Sequence, residues 1–197
     1  MWRSRVRGAG DQLSAHMEIP LAVDTVRKIV GDLPGGLTVL DVPCGIGRWW
    51  PELSKVAQKI VAVDISEGML GYARECAKAF AGSVEVLQGD SEKLPFGDAE
   101  FDMIFSFALF KHLPRPVQYR VMAEFGRVTK RYVVVALGVM NHATYEFWRR
   151  RRIAESFPMM PEELTWMAQA AGLTVRRSLS CTTPIGVERL VLLERKL

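Results

Sequence analysis

The sequence predicts an α/β protein built on a doubly wound, seven-stranded sheet, mostly parallel with an antiparallel last strand. Three observations carry this expectation. Short apolar, β-branched runs alternate with stretches of helical spacing, the pattern left by strand–helix crossovers. The middle runs are apolar throughout, as strands covered on both faces must be. The last two runs are joined only by Cys181–Gly186, too short for a helical crossover, so they must pair antiparallel.

The elements follow in order. Residues 12–30 have the spacing of one amphipathic helix, with Leu13, Met17, Leu21, Val26 and Ile29 on one face. Leu37–Val42 is a buried strand running into the turn Asp41-Val-Pro-Cys-Gly. Gly47–Ala57 reads as a helix and Lys59–Ile65 as the second strand. Ser66 then caps a helix that runs to about Phe80, with Glu67 placing negative charge in its first turn. Val84–Gln88 and Phe101–Phe107 are the third and fourth strands, Pro116–Val128 is a helix, and Arg131–Leu137 is the fifth strand. Pro161–Ala171 is a helix stopped by Gly172. Leu173–Ser180 and Val187–Glu194 complete the sheet.

A length of 197 residues suits one domain spanning 1–197. With 49% apolar and 24% charged residues the chain can bury a full core, which excludes the disordered and fibrous classes. The net charge of +4 permits an anionic partner without demanding one. Cys44, Cys76 and Cys181 are too few and too scattered for a disulfide framework or a zinc site, and they fit a reducing, cytoplasmic setting with no metal. The basic start lacks the apolar run of a secretory signal. The apolar runs Met103–Phe110 and Val133–Met140 fall far short of the roughly 20 residues that span a bilayer.

The strongest motif is Val39-Leu-Asp-Val-Pro-Cys-Gly-Ile-Gly-Arg48, a strand running through a glycine-bearing turn. Open α/β sheets bind ligands at the carboxyl ends of their strands, where Gly45 and Gly47 let the backbone turn sharply and approach a ligand. Asp41, at the strand end, can accept a hydrogen bond from a cationic group. Asp64 closes the second strand about 20 residues further on, where a carboxylate can hold both hydroxyls of a ribose. Asp90 and Ser91 follow the third strand, where short polar side chains can meet an adenine edge. A dinucleotide fingerprint requires a third glycine, and Trp50 stands in that place. An NAD-linked oxidoreductase therefore ranks last among the functions considered.

The strings VLDVPCGIGR, VAVDISEGML and GDSEKLPFGDAEFDMIFSFALFKHL resemble the class I S-adenosylmethionine (SAM) dependent methyltransferases, especially the small-molecule members of UbiE-like or methyltransferase domain 11 type. The resemblance covers residues 37–138 closely and implies a Rossmann-like fold, SAM as cofactor and S-adenosylhomocysteine (SAH) as product. It implies that Asp41, Gly45 and Gly47 hold the methionine end of SAM and that Asp64 takes the ribose diol. Ile65 and Met69 would flank the adenine, Asp90 and Ser91 would meet its edge, and Phe107 would close over the methionine and sulfonium. Pro43 departs from the family, which usually has a glycine there. Proline removes an N–H donor, and this keeps open a SAM-binding module without catalysis that regulates a partner.

Methyl transfer from a sulfonium is a single displacement, so the protein mainly aligns the acceptor and excludes water. An acceptor that must lose a proton also needs a base. His112, after the fourth strand, is the first candidate, and His142, after the fifth, is the second. The expected partner is a small molecule, with an anionic or membrane-associated one left open. Three segments would choose it: the N-terminal helical cap at 1–30, the loop after the fourth strand, and a substrate-side insertion at 139–160. The insertion carries Tyr145-Glu-Phe-Trp148 followed by Arg149–Arg152. An RNA methyltransferase is the alternative within the same chemistry. Against it, Phe107-Ala-Leu-Phe110 occupies the place of the tetrapeptide that base-amino methyltransferases carry, and nucleic acid is disfavoured. Sequence leaves the oligomeric state open.

Overall fold

The computed structural model describes residues 21–150, 157–181 and 188–195. Its centre is a seven-stranded sheet in the order β3-β2-β1-β4-β5-β7-β6. The strands are β1 (Leu37–Asp41), β2 (Ala57–Asp64), β3 (Val84–Gln88), β4 (Phe101–Ser106), β5 (Thr129–Gly138), β6 (Leu173–Ser180) and β7 (Glu188–Arg195). The first five run parallel. β7 inserts between β5 and β6 and is antiparallel to both. The expected doubly wound sheet with an antiparallel last strand is therefore the one observed.

The helices are α1 (residues 21–30), α2 (Trp50–Leu53), α3 (Glu67–Ala77), α4 (Arg115–Val128), α5 (His142–Arg150) and α6 (Pro161–Ala170). They cover both faces of the sheet. On one face α1, α2 and α3 bring Val26, Ile29, Trp50, Leu53, Leu70 and Ala73 against Val39, Met103 and Phe105. On the other, α4 and α6 bring Met122, Phe125, Leu164 and Met167 against Leu40, Ile104 and Val133. The alternation Val39/Leu40 and Met103/Ile104 is the period of a strand whose two sides are both buried.

Several boundaries differ from those expected. The helix read over Gly47–Ala57 is instead a run of turns followed by the single helical turn α2. Pro51 explains this, because its missing N–H is tolerated only in a first turn, so no helix can run from Gly47 through it. Ala57 already belongs to β2, where it pairs with Leu37. β5 starts two residues early because Thr129 pairs with Phe101 across a register shift and its hydroxyl donates to the Tyr132 carbonyl. In α1, Leu21 is exposed and Ala22 takes the buried position with Val26, Ile29 and Val30. Leu13 and Met17 lie outside the described residues, as do 182–187 of the last connection. Among the described residues no helix is long and apolar enough to cross a membrane.

Local chemistry sets the other ends. Ser66 caps α3, accepting from Met69 N at 3.4 Å, and the helix tightens into a 3-10 turn at Lys78–Phe80. α6 ends where Gly172 takes φ +73°. Gly126 lies in α4 where a β-carbon would meet the Ala171 carbonyl oxygen at 2.2 Å, so α4 and the end of α6 approach as closely as backbones can.

Candidate functional site

The chain leaves β1 toward β2 and later returns to β4 on β1's other side, so the order of winding reverses between β1 and β4. Their carboxyl ends open the crevice in which this architecture binds ligands. β1 delivers Asp41 there, β2 delivers Asp64, and the segment after β4 delivers Phe107.

The turn after β1 is built around these residues. Val42 N donates to the Phe105 carbonyl and Cys44 N to the Val63 carbonyl, both at 2.9 Å, which pins the turn to β4 and β2. Gly45 and Gly47 have φ of +55° and +83°, the left-handed region that disfavours a side chain. Pro43 sits between them and the strand and follows a cis peptide. Ile46, between the two glycines, is 42% exposed.

Asp64 fastens the turn to β2. Its Oδ2 accepts from Gly45 N at 2.9 Å and its Oδ1 from Ser66 N at 2.9 Å. Each carboxylate oxygen has a further lone pair for a ligand. Next to it Ile65 and Met69 are 66% and 47% exposed, and with Ile46 they are apolar side chains at the rim of a polar crevice. Gln88 Nε2 donates to the Ile65 carbonyl at 3.1 Å. Asp90 turns the chain after β3, its Oδ1 accepting from Glu92 N at 2.9 Å, while Ser91 is half-buried beside it.

Asp41 is the electrostatic centre. It is wholly buried. Its Oδ2 accepts from the Trp50 indole at 2.9 Å, and its Oδ1 is buried with no hydrogen-bond partner among the described residues. Burial pushes its carboxyl up to about 8; the indole hydrogen bond opposes that shift and the charge of Asp64 adds to it. The Cys44 thiol is also held well above its ordinary value, by burial and then by Asp41 and Asp64, so it is inert as a nucleophile. Among the described residues neither carboxyl has a cationic partner, and such a crevice favours a positively charged ligand.

Phe107 is half-buried and packs on Trp49, ring centroids 4.5 Å apart, with Phe105 behind both. Trp49 is buried, and its ring supports Phe107 from the core side. The sequence marks Trp50 as the residue in the place of the third glycine of a dinucleotide fingerprint. Its bond to Asp41 is a role that an indole nine residues after an acid could have signalled only once both were known to be buried.

The two histidines lie on the rim. His112 ends the 3-10 turn Phe110–His112. Desolvation of its ring and the nearby Lys111 hold it below its ordinary value, against the opposing pull of Glu188, so it is neutral at neutral pH. His142 is exposed at the first position of α5. The segment 139–160 is fastened to the His112 loop at its base. Val139 bridges Met159, Met140 N donates to the Met159 carbonyl at 2.9 Å, and Phe157 N donates to the Lys111 carbonyl at 2.9 Å. Gln118, buried in α4, donates to the carbonyls of Phe110 at 2.7 Å and Phe157 at 3.0 Å. Arg115 donates to the Pro158 carbonyl at 2.7 Å. The two segments that were expected to choose the acceptor thus share one clasp. Gln118 and Arg115 escaped the sequence because a polar residue on a helix face normally reads as solvated. Of the arginine run, 151–152 lie outside the described residues.

Comparison with known proteins agrees with this architecture. Residues 39–132 match the family model for a methyltransferase domain. The demethylmenaquinone methyltransferase of Shouchella clausii is 32% identical over 111 residues, covering 54% of this chain and 46% of that protein. The same-named enzyme of Bacillus cereus (strain B4264) is 28% identical over 181 residues, 76% of this chain and 74% of the relative. This chain spans less than half the length of the first curated relatives it matches. Among solved structures, magnesium protoporphyrin IX methyltransferase of Synechocystis PCC 6803 with bound SAH superimposes with a TM-score of 0.78 at 16% identity, over 98% of this chain and 90% of that one, a likeness of fold. The matched stretch runs from β1 into β5, so the strands that frame the crevice lie in the part of the chain that is similar to a methyltransferase domain.

Proposed function

We propose that the protein transfers the methyl group of SAM to a small-molecule acceptor, an oxygen, nitrogen or carbon nucleophile, by direct displacement. The observation that carries this reading is Asp41. A buried carboxyl oxygen without a partner costs about 1–3 kcal/mol, and a ligand bearing a cationic donor would remove that cost. The residues of the crevice fit SAM on the same terms. Asp64 has lone pairs left for the ribose hydroxyls, and Ile65 and Met69 offer an apolar flank for the adenine. Asp90 and Ser91 offer polar groups at its edge. Pro43, Gly45 and Gly47 leave the backbone bare beside the methionine end, and Phe107 closes over it. When bound, SAM supplies an electrophilic methyl group on a good leaving group. This chain's residues orient the acceptor, exclude water and, where the acceptor must lose a proton, accept it at the imidazole of His112, with His142 as the second candidate.

The finer reading is an acceptor that is anionic or membrane-associated. α5 supports it: Phe147 is 58% exposed on a helix that carries Arg150, and the sequence continues with Arg151 and Arg152. The relatives named demethylmenaquinone methyltransferase suggest a demethylmenaquinone-like acceptor to try first. The test is transfer of labelled methyl from SAM into demethylmenaquinone, into small anionic acceptors and into RNA. Label in a small acceptor, with SAH formed in equal amount, supports the proposal. Label in RNA alone would overturn it in favour of an RNA methyltransferase. SAH binding without transfer to any acceptor would leave the SAM-binding regulator as the better account.

A further inference from the structure

Trp50 has no part in the proposed function, yet among the described residues it is the one side chain that holds Asp41. Its ring is wholly buried and is fixed from two sides. Phe80 meets it edge-on at 5.7 Å between centroids. On the other side it lies where a β-carbon on Gly47 would stand, 2.5 Å from two ring atoms. An indole whose only task was to fill space could present any edge to β1. This one points its N–H at the Asp41 carboxyl and leaves the second oxygen of that carboxyl unpaired. The same ring thus sets both the shape of the glycine turn and the state of the acid beneath it.

We propose that Trp50 is a positioning residue of the cofactor crevice: its indole N–H holds Asp41 with one oxygen presented to an incoming cationic group, and it favours the ionised acid that such a group needs. This rests on the reading of the crevice as a SAM site. The groups that face Asp41 are the Trp50 indole on α2, the Asp64 carboxylate on β2 and the Cys44 thiol in the turn, with apolar Phe105 beside it on β4. The indole bond and the Asp64 charge act in opposite directions on Asp41, and burial disfavours its charge most of all. Removing the N–H while keeping an aromatic ring therefore shifts ionisation of Asp41 to higher pH, and binding of a cation by Asp41 shifts with it.

The test uses the full chain with Trp50→Phe, Asp41→Asn and the double variant, each checked by thermal melting. First, the indole N–H resonance of Trp50 is followed without cofactor from about pH 5 to about pH 10. It is expected to titrate in the wild type and to stay still in Asp41→Asn. Second, SAH affinity is measured against pH. Trp50→Phe is expected to shift the pH midpoint upward by roughly one unit and to leave the Asp41→Asn protein's affinity changed less than about twofold. A static indole resonance in the wild type overturns the proposal, and so does a Trp50→Phe protein with the wild-type pH profile. So does an equal loss of affinity in the Asp41→Asn background. Should the wild type bind no SAH at any pH, the cofactor reading fails, and the indole titration alone decides whether Trp50 controls Asp41.

Discussion

At the scale of residues, the crevice depends on a few side chains that cannot be exchanged for near relatives. Gly47 is the clearest. Its φ of +83° and the Trp50 ring at 2.5 Å from a would-be β-carbon leave no room for alanine. Gly47→Ala should destabilise the fold by about 2–4 kcal/mol, adding backbone strain to overpacking, and should abolish SAH binding. A melting curve within about 2 °C of wild type would contradict the geometry. The places of Asp41, Gly45, Gly47 and Asp64 at strand ends and in the turn were legible in the sequence because turn glycines and strand-ending acids recur at fixed distances from predicted strands, while their hold on SAM is a proposal. Trp50 was not, since its bond to Asp41 depends on a turn that the sequence had been read as helix.

At the scale of elements, the sequence was most legible where periodicity is strong. The five parallel strands lie where apolar runs stand, and Ser66 and Gly172 mark the ends of α3 and α6 as their chemistry requires. It was least legible in Gly47–Ala57, where apolar residues at helical spacing competed with Pro51 and the covalent limits of proline won. Two contacts between elements lend themselves to tests. Gly126→Ala in α4 would ordinarily gain about 0.5–1 kcal/mol of helix stability. Here the added methyl meets the Ala171 carbonyl oxygen at 2.2 Å, so the variant should instead lose about 1–3 kcal/mol in denaturant unfolding. Gln118→Leu removes the amide that joins Phe110 to Phe157. The Phe157 carbonyl then loses this donor and the Phe110 carbonyl keeps only Leu113 N at 3.1 Å, so amide exchange should quicken at Met140 and Phe157, with a loss of about 1–2 kcal/mol. Unchanged exchange at those amides would mean that the clasp does not hold the segment.

At the scale of the whole molecule, the sheet order matters more than any single contact. Reversal of winding between β1 and β4 brings three strand ends together, and helices on both faces leave the carboxyl edge as the open one. That burial also makes stability depend on pH. Asp41 holds its proton to about pH 8 in the folded chain, while an unfolded aspartate loses it near pH 3.9. The folded state therefore binds more protons across this window, and the contribution of Asp41 is full below about pH 4 and is lost as pH rises toward 8. Asp41→Asn keeps the shape without the titration. Its stability relative to wild type should rise steadily from about pH 5 to about pH 8 in urea unfolding. A difference that is flat with pH would mean that Asp41 is ionised in the folded protein.

The most direct test of the central claim, a SAM site at the carboxyl ends of β1 and β2, is titration calorimetry of SAH, with NADH as control, on the wild type and on Asp64→Ala checked for folding by its melting curve. Micromolar binding of SAH, no heat with NADH, and a loss of about 10- to 100-fold in the variant are the predicted result. No SAH binding to the wild type, or equal affinity for the folded Asp64→Ala protein, would contradict it.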